Sequence, residues 1–340
     1  MDQRQYLKKG NGYKQKKLKT LNLRYLDVEL DPIVARYKDQ ETDEYYPYLD
    51  QLENLDISYT TRSITFKNLS YLTNLKQIYM KDVVGKWKNP DVSTKLSLSG
   101  IYELQEIQYI NLSENNISSL EEIVYKKYKD GVLIEKKWLG ATEIYLQNNN
   151  ISDITPLVDL EQSINVLNLS YNKISEIRAL DYCRFSSDAQ VDLRYQDITL
   201  NIFEKDSVDQ YIILPSIFQE SKRQGSFIYS EDTGFLIKSN NKIDEASIKL
   251  NEEEPYLQPN FYNVIINKST DKDDVLTLEL TGNGMATGSK VTFVLGTSTS
   301  YVDSILFRDP NLCQAIKDNL AQEQYASKVK YLKNAHLIMN

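Results

Sequence analysis

The residue types that carry most protein chemistry are scarce in this chain. Its 340 residues include one histidine, His336, and two cysteines, Cys183 and Cys313. A serine or cysteine nucleophile needs a neighbouring base, most often an imidazole, and a histidine-based metal site needs several such ligands. With its one imidazole in the C-terminal stretch, the body of the chain supports neither. Asp271, Asp273 and Asp274, interrupted by Lys272, lack the ligand spacing of a calcium loop and read as a solvated turn. Glu252, Glu253 and Glu254 before Pro255 read as a charged loop. Gly282-Asn283-Gly284 lies between two strand patterns rather than before a helix, so it fails the context of a dinucleotide-binding turn. The two cysteines have no metal or redox spacing and read as separate thiols. The expectation is no enzyme, no cofactor and no metal, with a carboxylate-based hydrolase as the residual alternative.

The side chain with a patterned task is asparagine. A phrase, apolar-x-apolar-x-x-Asn-x-Ile, runs through Ile110, Leu112, Asn115 and Ile117, then Ile144, Leu146, Asn149 and Ile151, then Leu167, Leu169, Asn172 and Ile174. The last two copies start 23 residues apart, at 144 and 167. Such a period built on such a phrase is the signature of leucine-rich repeats. The two apolar residues of each copy define a short strand, half buried because strand side chains alternate. Where the chain then turns beside the core, an amide can satisfy the turning peptides from inside, because it carries two donors and an acceptor. Asn115, Asn149 and Asn172 are therefore expected to form a structural ladder. Ordering one such repeat costs more than its few aliphatic side chains return, so stacked neighbours are obligatory.

Weaker copies flank the clear ones at Leu21-Asn22-Leu23, Leu55-Asp56-Ile57, Ile78-Tyr79-Met80 and Val191-Asp192-Leu193. Their asparagine position holds Thr60, Val83 and Gln196 in the last three, which confines the expected ladder to the middle. Three spacings are too long, and the excess maps to excursions near 35–47, 84–95 and 124–140, expected as loops outside the packed coil. These hold Trp87 and Trp138 with Tyr45, Tyr46, Tyr125 and Tyr128.

The net charge of −8 argues against a general nucleic-acid binder. The lysines and arginines of the first 24 residues read as a solvated end. No stretch approaches the 18 or so apolar residues of a membrane span, so no membrane insertion is expected. Nor does the basic start lead into a signal-peptide core.

At Ile151-Ser-Asp-Ile-Thr-Pro-Leu157 and Leu167-Asn-Leu-Ser-Tyr-Asn-Lys-Ile-Ser175 the chain resembles the internalin-type leucine-rich repeat proteins of Gram-positive bacteria. The likeness covers about residues 100–200. It implies an α/β repeat solenoid with a curved parallel sheet, followed by an all-β immunoglobulin-like sandwich that caps the array. Residues 1–199 are read as the solenoid, with clear repeats over 100–199 and weaker ones over 20–99, and 200–306 as the sandwich. Alternation past the last repeat supports strands at 226–230, 235–238, 246–250, 262–267, 275–281 and 290–295, the last two forming a hairpin. Residues 307–340 read as a short C-terminal helical segment, with Asp309 as N-cap and Pro310 at the first helical position. It resembles the cap of a further array and suggests a piece of a larger protein. Such a protein would be displayed at the cell surface or secreted if the full product is exported.

The resemblance and the register together give a binding face. Side chains expected on its concave side are Tyr79, Asn111, Tyr145, Asn168 and Asp192 in one row, Lys81, Gln147 and Arg194 in the next, and Tyr59, Asp82, Glu114, Tyr171 and Tyr195 in a third. Tyrosine offers large contact area at little rotamer cost. A non-enzymatic module recognising a protein ligand is one expectation, and a structural spacer within a larger surface protein is the other.

Overall fold

The parallel strand ladder is built from repeated short segments that each set one buried apolar residue between two outward ones. In the computed structural model, residues 18–26, 28–61, 65–202, 210–213, 215–218, 234–239, 246–251, 261–266, 275–281 and 285–295 are described. The histidine, Cys313, the acidic clusters at 252–254 and 271–274, Gly282-Asn283-Gly284, the expected strand at 226–230 and the expected terminal helix lie outside them.

Contacts divide the chain into two units, one comprising residues up to Asn172 with Arg178–Asp192, the other Lys173–Ile177 with residues from Leu193 onward. In the first unit the strands are β1 (Thr20–Asn22), β2 (Arg36–Lys38), β3 (Tyr45–Pro47), β4 (Asn54–Asp56), β5 (Gln77–Tyr79), β6 (Tyr109–Asn111), β7 (Val124–Lys129), β8 (Val132–Trp138), β9 (Glu143–Tyr145), β10 (Ile164–Asn168) and β11 (Phe185–Asp192). Seven of them form one parallel sheet in the order β1-β4-β5-β6-β9-β10-β11. Leu55, Ile78, Ile110, Ile144, Leu167 and Val191 stand in register and are buried beneath it. The return paths carry short 3-10 turns, among them Thr155–Asp159 with Pro156 in its first turn, and one short helix, Phe66–Leu69, whose cap Thr65 accepts the Asn68 N–H through its hydroxyl.

The amides work as the phrase requires. The Asn149 Oδ1 accepts the N–H of Asn115 at 3.0 Å and of Ile117 at 2.9 Å, and its Nδ2 donates to the Leu112 carbonyl at 3.0 Å and the Leu146 carbonyl at 2.9 Å. Asn115 does the same for the Val83 N–H and the Met80 carbonyl, and Asn172 for the Ile151 N–H and the Leu146 carbonyl. The ladder extends further than asparagine does. Gln196, fully buried, accepts the Ile174 N–H at 2.9 Å and donates to the Leu193 carbonyl at 3.1 Å, because its longer amide reaches the same groups.

Two of the three excursions are hairpins rather than loops: β2–β3 and β7–β8 pair antiparallel, the latter through Asp130 (φ 51) and Gly131 (φ 78). Positive φ at both positions is the type I′ turn that Asp-Gly favours.

In the second unit, β12 (Asp197–Ile202), β14 (Gly234–Ser239), β17 (Val275–Thr281) and β18 (Lys290–Leu295) form a four-stranded sheet, while β13 (Gln210–Ile213), β15 (Ala246–Asn251) and β16 (Phe261–Ile266) form a three-stranded one. The expected 275–281/290–295 hairpin is present, with Leu278 opposite Val291 and Leu276 opposite Phe293, all buried. Strand β12, which alternation did not reveal, runs parallel to β18. The Ser216–Phe218 turn joins the segment 174–177: the Ile177 N–H donates to Ser216 Oγ at 2.7 Å and the Ile217 N–H to the Ser175 carbonyl at 3.1 Å.

Within this unit residues 285–289 imitate a repeat without carrying its phrase. In the array, the Leu112 and Glu114 N–H groups donate to the Tyr145 and Gln147 carbonyls of the following turn. Here the Leu193 N–H donates to the Met285 carbonyl at 3.0 Å and the Tyr195 N–H to the Thr287 carbonyl at 3.1 Å. Ala286 is buried like the leucines, Gly288 (φ 75) takes the left-handed place, and Ser289 Oγ, accepting the Gln196 N–H at 3.0 Å, stands in for the amide.

Candidate functional site

Strand alternation fixes which side chains of the first unit face solvent. Residues flanking each buried central position point away from the core. The row Asp56, Tyr79, Asn111, Tyr145, Asn168 and Asp192 is in register across adjacent strands, each half-buried at the sheet surface. Two residues earlier on the same face runs a row that sequence reasoning omits: Asn54, Gln77, Tyr109 and Glu143. The period of two that exposes Asn111 also exposes Tyr109, and that was the readable signal.

Tyr109 changes the character of the face. Its ring lies 4.6 Å from that of Tyr79 and 5.1 Å from that of Tyr145, so three adjacent strands present one run of tyrosine rings. The Tyr79 hydroxyl donates to Gln77 Oε1 at 3.2 Å. Burial, reinforced by Asp56 and Glu143, raises the Tyr79 phenol pKa. Burial likewise pushes the Tyr109 phenol up to about 12, with a hydrogen bond to Asn111 pulling against it. Tyr145 is raised by burial and by Glu143. Neutral, half-desolvated phenols beside carboxylates suit a surface that binds through aromatic area and hydroxyl donors.

The second row is mixed. Lys81 reaches Glu114 at 3.0 Å and Gln147 is half-buried, but Ser113 and Ser170 are buried, their hydroxyls donating to the Oδ1 atoms of Asn111 and Asn168 at 2.7 and 2.8 Å. Those asparagine carbonyls are thus committed to the local turn. Arg194 and Tyr195 fall in the second unit, exposed there, and Tyr195 packs its ring against Gly288.

The third row is not a strand row. Tyr59, Asp82, Glu114, Asn148 and Tyr171 all have positive φ, between 49 and 62, so strand alternation ends before them. Glu114, Asn148 and Tyr171 remain accessible, but two of the expected binding residues do not. Asp82 is 0% exposed, and its carboxylate accepts the N–H groups of Gly85, Lys86 and Trp87 at 3.0, 2.6 and 2.6 Å. It folds the 84–95 excursion instead of meeting a ligand, and burial raises its pKa despite those donors. Tyr59, at 9% exposed, is covered because Tyr25 stacks on it at 4.5 Å and Trp87 meets it edge-on at 6.5 Å. Arg24 completes that corner, its guanidinium 5.0 Å from the Tyr59 ring and 5.3 Å from the Tyr25 ring.

Among the described residues no group of three or more His, Cys, Asp or Glu side chains could hold a metal ion, and no helix is long and apolar enough to cross a membrane. Cys183 is a free thiol whose pKa burial pushes up to about 12.

No protein-family model and no curated protein matches the chain. Among solved structures it is similar to the functional domain of InlJ from Listeria monocytogenes, which includes a cysteine ladder. Identity is 14% and the TM-score 0.37, over 73% of this chain and 49% of that one, so the chain spans about half the neighbour's length. The mostly β architecture with its parallel sheet and few helices is consistent with a leucine-rich-repeat-like solenoid.

Proposed function

We propose that the first unit is a non-enzymatic protein-recognition module whose ligand seats on the solvent face of the parallel sheet, centred on Tyr79, Tyr109 and Tyr145. The observation that carries this reading is the contiguity of the three rings, 4.6 and 5.1 Å apart across β5, β6 and β9. Tyrosines recur as interface hot spots because each supplies a large rigid contact and a hydroxyl. Asp56 and Glu143 at the margins, with Lys81 and Glu114 beyond them, form the polar rim that a protein interface carries around its apolar centre. On the same reading the second unit is an immunoglobulin-like companion domain and the whole belongs to a bacterial surface or secreted protein, in keeping with the internalin-like repeat phrase.

The test is a binding screen of the purified chain against an array of cell-surface ectodomains. Each hit is then measured with the Tyr79→Ala/Tyr109→Ala/Tyr145→Ala variant after circular dichroism has shown the fold intact. Loss of two hot-spot tyrosines alone weakens binding about 100-fold or more. Unaltered affinity for every hit rejects the face and leaves the structural-spacer role.

A further inference from the structure

The β7–β8 hairpin is a long insertion in the array, and its two ends differ in chemistry. The base is fastened to neighbouring turns. The Leu139 N–H donates to the Ile123 carbonyl at 2.9 Å, Tyr125 stacks on Tyr102 at 5.0 Å, Lys126 pairs with Asp159 at 2.6 Å, Lys136 with Glu161 at 3.1 Å and Lys137 with Glu103 at 3.1 Å. Acids of the adjoining turns hold both faces of the ribbon here. Beyond the base those contacts cease and apolar side chains stand in water: Tyr128 is 57% exposed, Val132 64%, Leu133 45% and Ile134 52%.

Such a cluster at the end of a ribbon is not a side effect of surface composition, since single exposed apolar residues are ordinary but contiguous ones mark a contact. Its geometry constrains what makes the contact. Tyr128 pairs with Leu133 on one face and Lys129 with Val132 on the other, so apolar side chains stand on both faces of the tip. A flat protein surface laid on one face leaves the other wet. A fluid acyl layer covers both together. The tip also has the right reach: two residue pairs beyond the base extend about 7 Å, and interfacial elements enter about 5–10 Å past the headgroups. Lys127 and Lys129 flank the apolar group, exposed and without an acidic partner among the described residues, with Asp130 the single acid at the turn. Of the hairpin's five lysines, Lys126, Lys136 and Lys137 are held by acids at the base, which leaves Lys127 and Lys129 as the cations of the outer end beside Asp130.

We propose that this finger docks the protein on an anionic bilayer surface, the aliphatic side chains and Tyr128 entering the headgroup boundary and Lys127 and Lys129 resting among the anionic groups. This is contact at an interface, not a span, and it stands apart from the tyrosine face.

Vesicle co-sedimentation of the intact chain tests it, with vesicles of phosphatidylcholine alone or of about three parts phosphatidylcholine to one part phosphatidylserine. The chain is expected to partition onto the mixed vesicles. Leu133→Asp/Ile134→Asp, at exposed positions that the fold does not use, is expected to reduce that partition at least about tenfold. Lys127→Ala/Lys129→Ala is expected to reduce it several-fold on mixed vesicles only. The triple tyrosine-to-alanine variant retains it, which separates this proposal from the protein-recognition face. Absence of partition at about 1 mM lipid, equal partition onto both vesicle types, or a tip variant that sediments like the parent overturns the proposal. Equal partition would leave a charge-independent bilayer contact, and in the other two cases the tip serves a protein pocket or no partner.

Discussion

Replacing Asn149 by alanine tests whether buried amides hold successive turns together. Alanine leaves the Asn115 N–H, the Ile117 N–H and the Leu112 carbonyl buried without the partners that now sit at 3.0, 2.9 and 3.0 Å. The Leu146 carbonyl is spared, since the Asn172 Nδ2 still donates to it at 3.0 Å. An orphaned buried group costs about 1–3 kcal/mol, and three of them, partly relieved by water entering the vacated space, place the loss at about 3–6 kcal/mol. Asn149→Ala combined with Asn172→Ala should lose about 1–2 kcal/mol more than the sum of the single changes, because the Leu146 carbonyl then loses both donors. The chain has two tryptophans, Trp87 and Trp138, both in the first unit, so urea unfolding followed by tryptophan emission reports on that unit alone. Asn165→Ala, on an exposed position of β10, is the control and should stay within about 0.5 kcal/mol of the parent. A loss for Asn149→Ala no larger than the control's refutes the ladder as a source of stability.

Three further outcomes are expected. The Tyr109 phenol, raised to about 12, binds its proton more tightly in the folded than in the unfolded chain, so its contribution to stability is complete below the ordinary value of 10.0 and is lost as pH rises toward 12. Tyr109→Phe should flatten that part of an alkaline denaturation curve. Asp82 also has a raised pKa, so its contribution is most favourable near and below 3.8 and erodes as pH rises through its folded value. Denaturation from acid to neutral pH should therefore show the parent losing ground to Asp82→Asn, and a constant difference contradicts the burial argument. Gly288→Ala combines a φ of +75 with a Cβ placed 2.5 Å from the Tyr195 ring, and calorimetry should show about 1–3 kcal/mol lost in the second unit. Adding Tyr195→Ala relieves the collision but not the left-handed backbone, so about 1 kcal/mol of the loss should persist.

What the sequence discloses follows the strength of its periodic signals. The strands at Ile110, Ile144 and Leu167 and the amides that bind them were legible because one phrase encodes both a half-buried segment and the polar group that closes its turn. Alternation likewise located β17 and β18 to the residue. Gln196 escaped because one extra methylene disguises the same donor and acceptor, and Ser289 because it shares no phrase with the repeats at all. Asp82 and Tyr59 share the turn position of the accessible Glu114, Asn148 and Tyr171, and they are buried by long-range partners that no repeat phrase records: the 84–95 backbone on Asp82, and Tyr25 and Trp87 on Tyr59. Asp130-Gly131 was a readable hairpin signal within a stretch that spacing alone marks only as surplus. Pairings such as β12 with β18 bring residues from position 197 to position 290, and no local pattern records a separation of that kind.

The borrowed turn at 285–289 makes the tally of coils by hydrogen bonding one greater than the tally by motif. The phrase around Asn149 meets its own kind on either side, at Asn115 and Asn172. The segment that ends on Gln196 is matched instead to a serine and a glycine about ninety residues away. A change in the coil at 193–196 therefore has to be matched by one at 285–289, where the β17–β18 connection supplies its hydrogen-bond partners.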